Sequence, residues 1–299
     1  MKLVTFKADG EAELGVLNED KGVVIAIGRT DIGLPHDMMG LIAGGERALA
    51  AVRSAASHEA IAMKLRIEDV QLMAPIPNPP RNIFCVGKNY VEHAAEVQAT
   101  AIGDADNPVP KYPIFFTKSF TTISGPGDSI PAYLDTTGSV DYEGELCVVI
   151  GEGGRGISRE DAMNHVFGYT LMNDVTARRL QKRHNQWFLG KNLDGFCPMG
   201  PVLLTADAVP DVTALRLQTR VNGEVRQDAS VADLIFDIPS LIETLSAGMT
   251  LVAGDIIATG TPAGVGVGFK PPKFLGDGDV VEIEVDGIGT LSNPVQGHA

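Results

Sequence analysis

The sequence predicts an α+β fold in which strands dominate, and three observations carry that expectation. Short apolar runs alternate with polar residues at a period of two, Asn-Gly and Asp-Gly pairs close two of them, and helical patterns are few. Those helical stretches do not alternate with strands in the regular βαβ manner that announces a parallel sheet.

Taken in order, Lys2–Phe6 and Val23–Ile27 read as strands, and an Ala-rich stretch at Glu46–Ser57 reads as a helix. The proline cluster APIPNPPR at Ala74–Arg81 can continue neither a helix nor a central strand. Residues 1–75 are therefore expected to form a small N-terminal α/β domain, and residues 76–299 the main one. Gln98–Pro113, QATAIGDADNPVPKYP, is polar and without periodicity; a loop of that length in a compact domain is a functional lid or a disordered stretch, and a lid is expected here because candidate chemistry lies immediately upstream. A short helix is expected from Ser158, with Asp161 as its cap partner. In LRLQTRVNGEVR, Leu215, Leu217, Thr219 and Val221 alternate with polar residues, and Asn222-Gly223 supplies the two positive-φ positions of a hairpin turn. A further helix starts near Pro239 and stops at Gly248. Val281, Ile283 and Val285 then form the apolar face of a strand that turns at Asp286-Gly287.

With 44% apolar and 21% charged residues in 299, a core of ordinary size can form. The 38 acidic against 24 basic side chains give a formal charge of −14, which attracts neither nucleic acid nor an anionic membrane, so neither is an expected partner. That acidity still admits an anionic substrate, because a bound cation reverses the local field. No apolar run approaches the ~18–20 residues that span a bilayer. The opening MKLVTFKADGEAELG lacks the apolar core of a signal peptide, so a cytoplasmic location is expected. Cys85, Cys147 and Cys197 are odd in number, widely spaced and flanked by apolar residues. They are expected to be reduced and buried.

Five segments carry chemistry. In Asp141-Tyr142-Glu143-Gly144-Glu145, ahead of LCVVIG, a strand puts Glu143 and Glu145 on one face about 6.5 Å apart. Two acids so placed repel and lose hydration unless a cation lies between them; the alternative is a solvated strand end. Gly144 leaves the opposite face open to close packing. Asp174 falls at a strand-to-helix transition, where it is either a ligand or an N-cap. Arg178 and Gln181 share a face of the following helix, suited to a carboxylate or ketone oxygen or simply to the surface. His93 and Glu96, three apart, make a base pair for water activation or a surface pair. Lys191, among turn-formers in GKNLDGFCPMGP, suits a fixed charge for a developing oxyanion. In ATGTPAGVG the small residues let backbone N–H groups approach an anion, although no Gly-Lys-Ser/Thr follows to make a P-loop.

In their order and spacing, NIFCVGKNYVEHAAE, DYEGELCVVIG, VFGYTLMNDVTARRLQ, WFLGKNLDGFCPMGP and IIATGTPAGVGVGFKPP resemble the fumarylacetoacetate hydrolase family, over most of residues 81–299. The resemblance implies a mixed β-roll and a homodimer. It implies that Glu143, Glu145 and Asp174 hold Mg²⁺, an oxygen set that also suits Mn²⁺ or Ca²⁺. It implies His93, Glu96 and Lys191 as catalytic residues, and Arg178, Gln181 and Thr261 as substrate-binding ones. Gly195 departs from the threonine many relatives carry and is expected to loosen the loop around Lys191. The expected activity is hydrolysis of a C–C bond in a small oxo-acid, an acylpyruvate or related β-diketo acid, in the breakdown of aromatic compounds. Oxaloacetate decarboxylation and isomerisation of an unsaturated oxo-diacid use the same cation–enolate site and are the alternatives. Outside catalysis, the alternative is an oxo-acid-binding protein without turnover.

Overall fold

The computed structural model describes residues 1–29, 33–58, 63–100 and 109–297. The chain opens with β1 (Lys2–Lys7), β2 (Ala12–Asn18) and β3 (Val23–Ala26), passes through α1 (Met38–Ala43) and α2 (Gly45–Ser57), and returns as β4 (Lys64–Arg66). The main body follows as β5 (Ile83–Gly87), α3 (Val91–Gln98), β6 (Ile114–Lys118), β7 (Gly144–Ile150), β8 (Val166–Asn173), α4 (Arg178–Arg183), α5 (Phe188–Lys191) and β9 (Cys197–Thr205). It closes with β10 (Arg216–Val221), β11 (Glu224–Ser230), α6 (Ile238–Ser246), β12 (Ile256–Ala258), β13 (Val280–Val285) and β14 (Gly289–Gln296).

One large sheet runs in the order β4-β3-β2-β1-β9-β8-β7-β12-β5-β6, antiparallel except where β12 pairs with β5. The N-terminal strands join it through β1 and β9, with Lys2 opposite Leu204 and Leu3 opposite Leu203. A second sheet, β11-β10-β13-β14, packs against its middle. The class is α+β with strands dominant, as the sequence predicts.

Strand β7 explains why LCVVI reads as an unbroken apolar run. Leu146, Val148 and Ile150 face the core shared with β10, β13 and α6, while Cys147 and Val149 face the layer of α1 and α2. Each large side chain so buried contributes about 1.5–3 kcal/mol. Gly144 is needed where the second sheet crosses: a Cβ there would lie 2.2 Å from Thr219 Oγ1.

The hairpin forms as expected, with Asn222 at φ 53° and Gly223 at φ 78° between β10 and β11. Helix α6 starts where Asp237 accepts the Ser240 N–H at 3.0 Å, with Pro239 in its first turn, and buries Leu241, Ile242 and Leu245. All three cysteines are free and buried. Two expectations are corrected. Strand β3 ends at Ala26, and Ile27 begins a 3-10 turn. No helix starts at Ser158: Ser158 Oγ and Asp161 do bond at 3.0 Å, but they close a turn, and a 3-10 segment at Ala162–His165 follows. The lid expected at Gln98–Pro113 lies half outside the described residues, which omit 101–108. Gly195 sits at φ 71° with Pro131 Cδ 2.9 Å from where a Cβ would stand, so its loop is packed and not loosened there.

Candidate active site

The ladder between β7 and β8 builds the floor. Gly144 lies opposite Asn173, and just beyond that rung the two strands are clipped together. Asn173 Oδ1 accepts the Glu143 N–H at 3.0 Å, and the Glu143 carbonyl accepts the Asp174 N–H at 2.8 Å. The pleat then aims Glu143 and Glu145 the same way, with Asp174 beside them. One carboxylate oxygen from each of the three lies within 4.8 Å of the others, and all three residues are buried. A solvated strand end is thereby ruled out. An N-cap role for Asp174 is also ruled out, because α4 begins four residues later, at Arg178, with Ala177 as its cap and no side-chain bond.

Cations brace the floor from three sides. Lys191 Nζ lies 2.7 Å from Glu143 Oε2 and 2.6 Å from Asp174 Oδ2. Arg178 reaches Glu143 Oε1 through Nη1 at 2.5 Å and Asp141 Oδ2 through Nε at 2.8 Å. Lys118, fully buried, stands 2.8 Å from Asp174 Oδ1 but gives its hydrogen bonds to the carbonyls of Val175 and Lys191. Burial alone would raise the Glu143 carboxyl, yet Lys191 and Arg178 outweigh it and hold it well below the ordinary range. Burial also works against the Lys191 ammonium, but Asp174 and Glu143 overcome it and keep the lysine charged. Glu145 has the opposite balance. Burial, then Asp174 and Glu143, push its carboxyl well up, and its hydrogen bond is a single backbone N–H, from Gly260 at 2.9 Å.

The side of the floor around Glu145 is therefore short of positive charge. Asp174 Oδ1 is a buried acceptor without a hydrogen bond. Three converging carboxylates, with one oxygen that is paired to the Lys118 charge but accepts no hydrogen bond and one carboxyl held unfavourably, fit a hard divalent cation.

A cavity of about 480 Å³ opens above this floor. Its walls bring together His93, Glu143, Glu145, Arg178, Gln181, Lys191 and Thr261, seven of the nine residues that the sequence singles out. Asp174 lies beneath it, and Glu96 lines an adjoining cavity of about 390 Å³. His93 and Glu96 project from α3. His93 Nδ1 is 3.6 Å from Glu96 Oε2, beyond hydrogen-bond range, and has no other partner among the described residues. Arg178 and Gln181 are buried on α4, with Nη1 3.4 Å from Gln181 Oε1 and Nη2 without a hydrogen-bond partner among the described residues. The Thr261 hydroxyl is already committed: it donates to the Gly144 carbonyl at 2.9 Å and accepts from Gln227 at 2.7 Å.

The glycine-rich loop after β12 differs from expectation in what it binds. Its N–H groups serve the protein's own carboxylates: Gly260 gives to Glu145, Gly264 to Glu96 at 3.1 Å, and Gly266 and Val267 to Asp141 at 2.7 and 2.9 Å. Sequence reasoning missed Asp141, Lys118 and Gln227 as parts of the site. Lys118 had a readable signal, a lysine closing the apolar run IFF. Gln227 had none, since it comes from the second sheet.

An α+β chain with three buried carboxylates that could hold a cation at the floor of a cavity belongs to a recognisable class. The family profile described as fumarylacetoacetate (FAA) hydrolase, C-terminal, matches residues 82–296. Oxaloacetate tautomerase YisK of Bacillus subtilis (strain 168) is 52% identical over 268 residues, 88% of this chain and 87% of that protein. A fumarylacetoacetate hydrolase, EaFAH, from psychrophilic Exiguobacterium antarcticum superposes with a TM-score of 0.84 at 43% identity, covering 100% of both chains. The maleylpyruvate hydrolase from Sphingobium sp. SYK-6, solved with manganese(II) ion and pyruvate, superposes with a TM-score of 0.79 at 33% identity, again over 100% of both chains. The chain belongs to the fumarylacetoacetate hydrolase family, and the fold expected from the resemblance is borne out.

Proposed function

We propose that this protein is a divalent-cation-dependent enzyme that interconverts the keto and enol forms of oxaloacetate or a closely related 2-oxo acid. The observation that carries the reading is the buried floor of Glu143, Glu145 and Asp174, opening into the same cavity as His93, Arg178 and Lys191. The relative named as an oxaloacetate tautomerase supports the choice of substrate. The three carboxylates would hold the cation, which when bound polarises a 2-oxo group and shares the charge of its enolate.

The remaining steps belong to the side chains. Arg178 offers Nη2, a buried donor without a partner, to a substrate carboxylate, and the Gln181 amide beside it fixes the orientation. His93, with Glu96 behind it, takes the proton from C3, and the Lys191 ammonium hands one to the 2-oxo oxygen. Thr261 acts by holding the Gly144 backbone against the second sheet.

Hydrolysis of an acylpyruvate, first in expectation from the sequence, is the second reading. It is favoured by the His93–Glu96 pair, whose placement suits water activation, and by the neighbour named as a maleylpyruvate hydrolase. Tautomerisation stands first because it needs the cation and a proton shuttle but no seat for an attacking water. Oxaloacetate decarboxylation needs neither base nor water. One experiment separates them: supply enol oxaloacetate and acylpyruvates with Mg²⁺, with Mn²⁺ and with chelator, and follow enol absorbance together with pyruvate and CO₂. Rates indifferent to both metal and chelator would sink the proposal. Tight oxo-acid binding in calorimetry with no product would mark a binding protein.

The same reading takes Mg²⁺ as the resident ion, a homodimer as the assembly and the cytoplasm as the location, with residues 1–75 and 76–299 as its two domains. Metal analysis of the purified protein, sedimentation, cell fractionation and limited proteolysis test these points in turn.

A further inference from the structure

Part of the cavity lining has no task in the chemistry above. It is a set of apolar side chains, Val86, Ile114, Phe116 and Trp187, which line the cavity together with the polar Lys88, Lys182 and Asn185. Trp187, the single tryptophan of the chain, is seated with care. Its ring lies on the bare backbone at the end of β5: a Cβ on Gly87 would be 2.5 Å from Trp187 Cζ3 and 2.8 Å from Cη2. It meets Phe116 edge to face, with centroids 5.3 Å apart and planes at 70°. The Phe116 ring in turn lies 5.0 Å from Lys191 Nζ. The Trp187 carbonyl accepts the N–H groups of Gly190 and Lys191, so the segment carrying this ring also carries the lysine.

Oxaloacetate has two carboxylates and a single methylene, and nothing on it profits from an indole surface. A carboxylate pressed against the ring face itself would lose hydration and gain no hydrogen bond from the indole carbons. An apolar or unsaturated arm extending from an oxo-acid head on the carboxylate floor would gain from it. We propose that Trp187, seated on Gly87 and braced by Phe116, is the residue that sets this site's preference for the arm beyond the enolised carbon. The inference rests on the oxo-acid reading of the floor.

The test compares the Mg²⁺-loaded unmodified enzyme with Trp187→Ala and Gly87→Ala, using oxaloacetate and acylpyruvates with two-, four- and six-carbon acyl arms. In Trp187→Ala, kcat/KM for the six-carbon arm relative to oxaloacetate is expected to fall about tenfold. Gly87→Ala, which displaces the ring without removing it, should shift the ratio in the same direction. In the unmodified protein, tryptophan fluorescence should change on binding the six-carbon arm and less on binding oxalate. Circular dichroism checks that each variant folds, and Trp187→Phe, expected to keep most of the preference, serves if the alanine variant does not. Equal losses on all substrates would reduce Trp187 to a support for Lys191 and overturn the proposal. Failure of the unmodified enzyme to accept any acylpyruvate while it processes oxaloacetate would overturn it as well. If no oxo-acid is bound or turned over with metal, the proposed function itself falls.

Discussion

At the floor of the pocket, Glu143, Glu145 and Asp174 stand on paired central strands that are clipped by Asn173 and braced by Lys118, Lys191 and Arg178. At its rim, His93 and Glu96 stand on the eight-residue helix α3, 3.6 Å apart, with Glu96 tied to the Gly264 N–H. The floor resembles a buried ion cluster, in which no charge can be removed without stranding another. The rim is a contact that can close by a few tenths of an ångström without disturbing a ladder. Affinity for the cation should therefore reside in the floor, and the rate of proton transfer in the rim.

The strongest way to break that division is Glu143→Ala. It removes a ligand and leaves Lys191 and Arg178 without their shared partner, and turnover should drop by about 10³-fold or more, with Mn²⁺ binding lost in calorimetry. Retained metal affinity in that variant would mean the ion sits elsewhere. Next in size is His93→Ala, for which we expect a fall of about 10²-fold or more in enol–keto interconversion while the Mn²⁺ dissociation constant stays within about twofold. A matching loss of metal affinity would merge rim and floor into one unit. Lys118→Met sharpens the comparison from below, because it removes the cation behind Asp174 without touching the cavity. It should weaken metal binding by about 10–100-fold and leave the pH profile of turnover in shape.

The smallest effect is the pH dependence of metal affinity. Glu145 is raised above the ordinary carboxyl value of 4.5, by burial first and then by Asp174 and Glu143. A raised folded-state value means that its contribution to stability is present below 4.5 and is lost as pH climbs through the raised value. Glu143 is lowered, so its contribution is present above the ordinary value and is lost only in acid. A cation needs both ionised. Through the window above 4.5 the ion must expel the Glu145 proton, and affinity should rise by up to about tenfold per pH unit. Mn²⁺ titrations in two buffers of different ionisation enthalpy measure that proton directly, and a release of zero throughout the window would contradict the assignment.

The sequence by itself determined the class of fold, the Asn222-Gly223 hairpin, the helix begun near Pro239, and the face shared by Glu143 and Glu145. Each follows from a local rule, a period, a turn pair or a first-turn proline, that acts within about ten residues. Asp174, Lys191, Arg178, Gln181, His93 and Glu96 each had a candidate role, all but Lys191 beside a bland alternative, and the family motifs gathered them into one set and added Thr261. Only the tertiary structure decided that Lys118 comes up behind Asp174, that Gln227 reaches from the second sheet to Thr261, and that the glycine-rich loop spends its N–H groups on Glu145, Glu96 and Asp141. Those contacts join residues 34 to 168 positions apart. Their partners are chosen by which strands lie side by side and by the need to pair every charge taken out of water, and neither leaves a periodic trace in the chain.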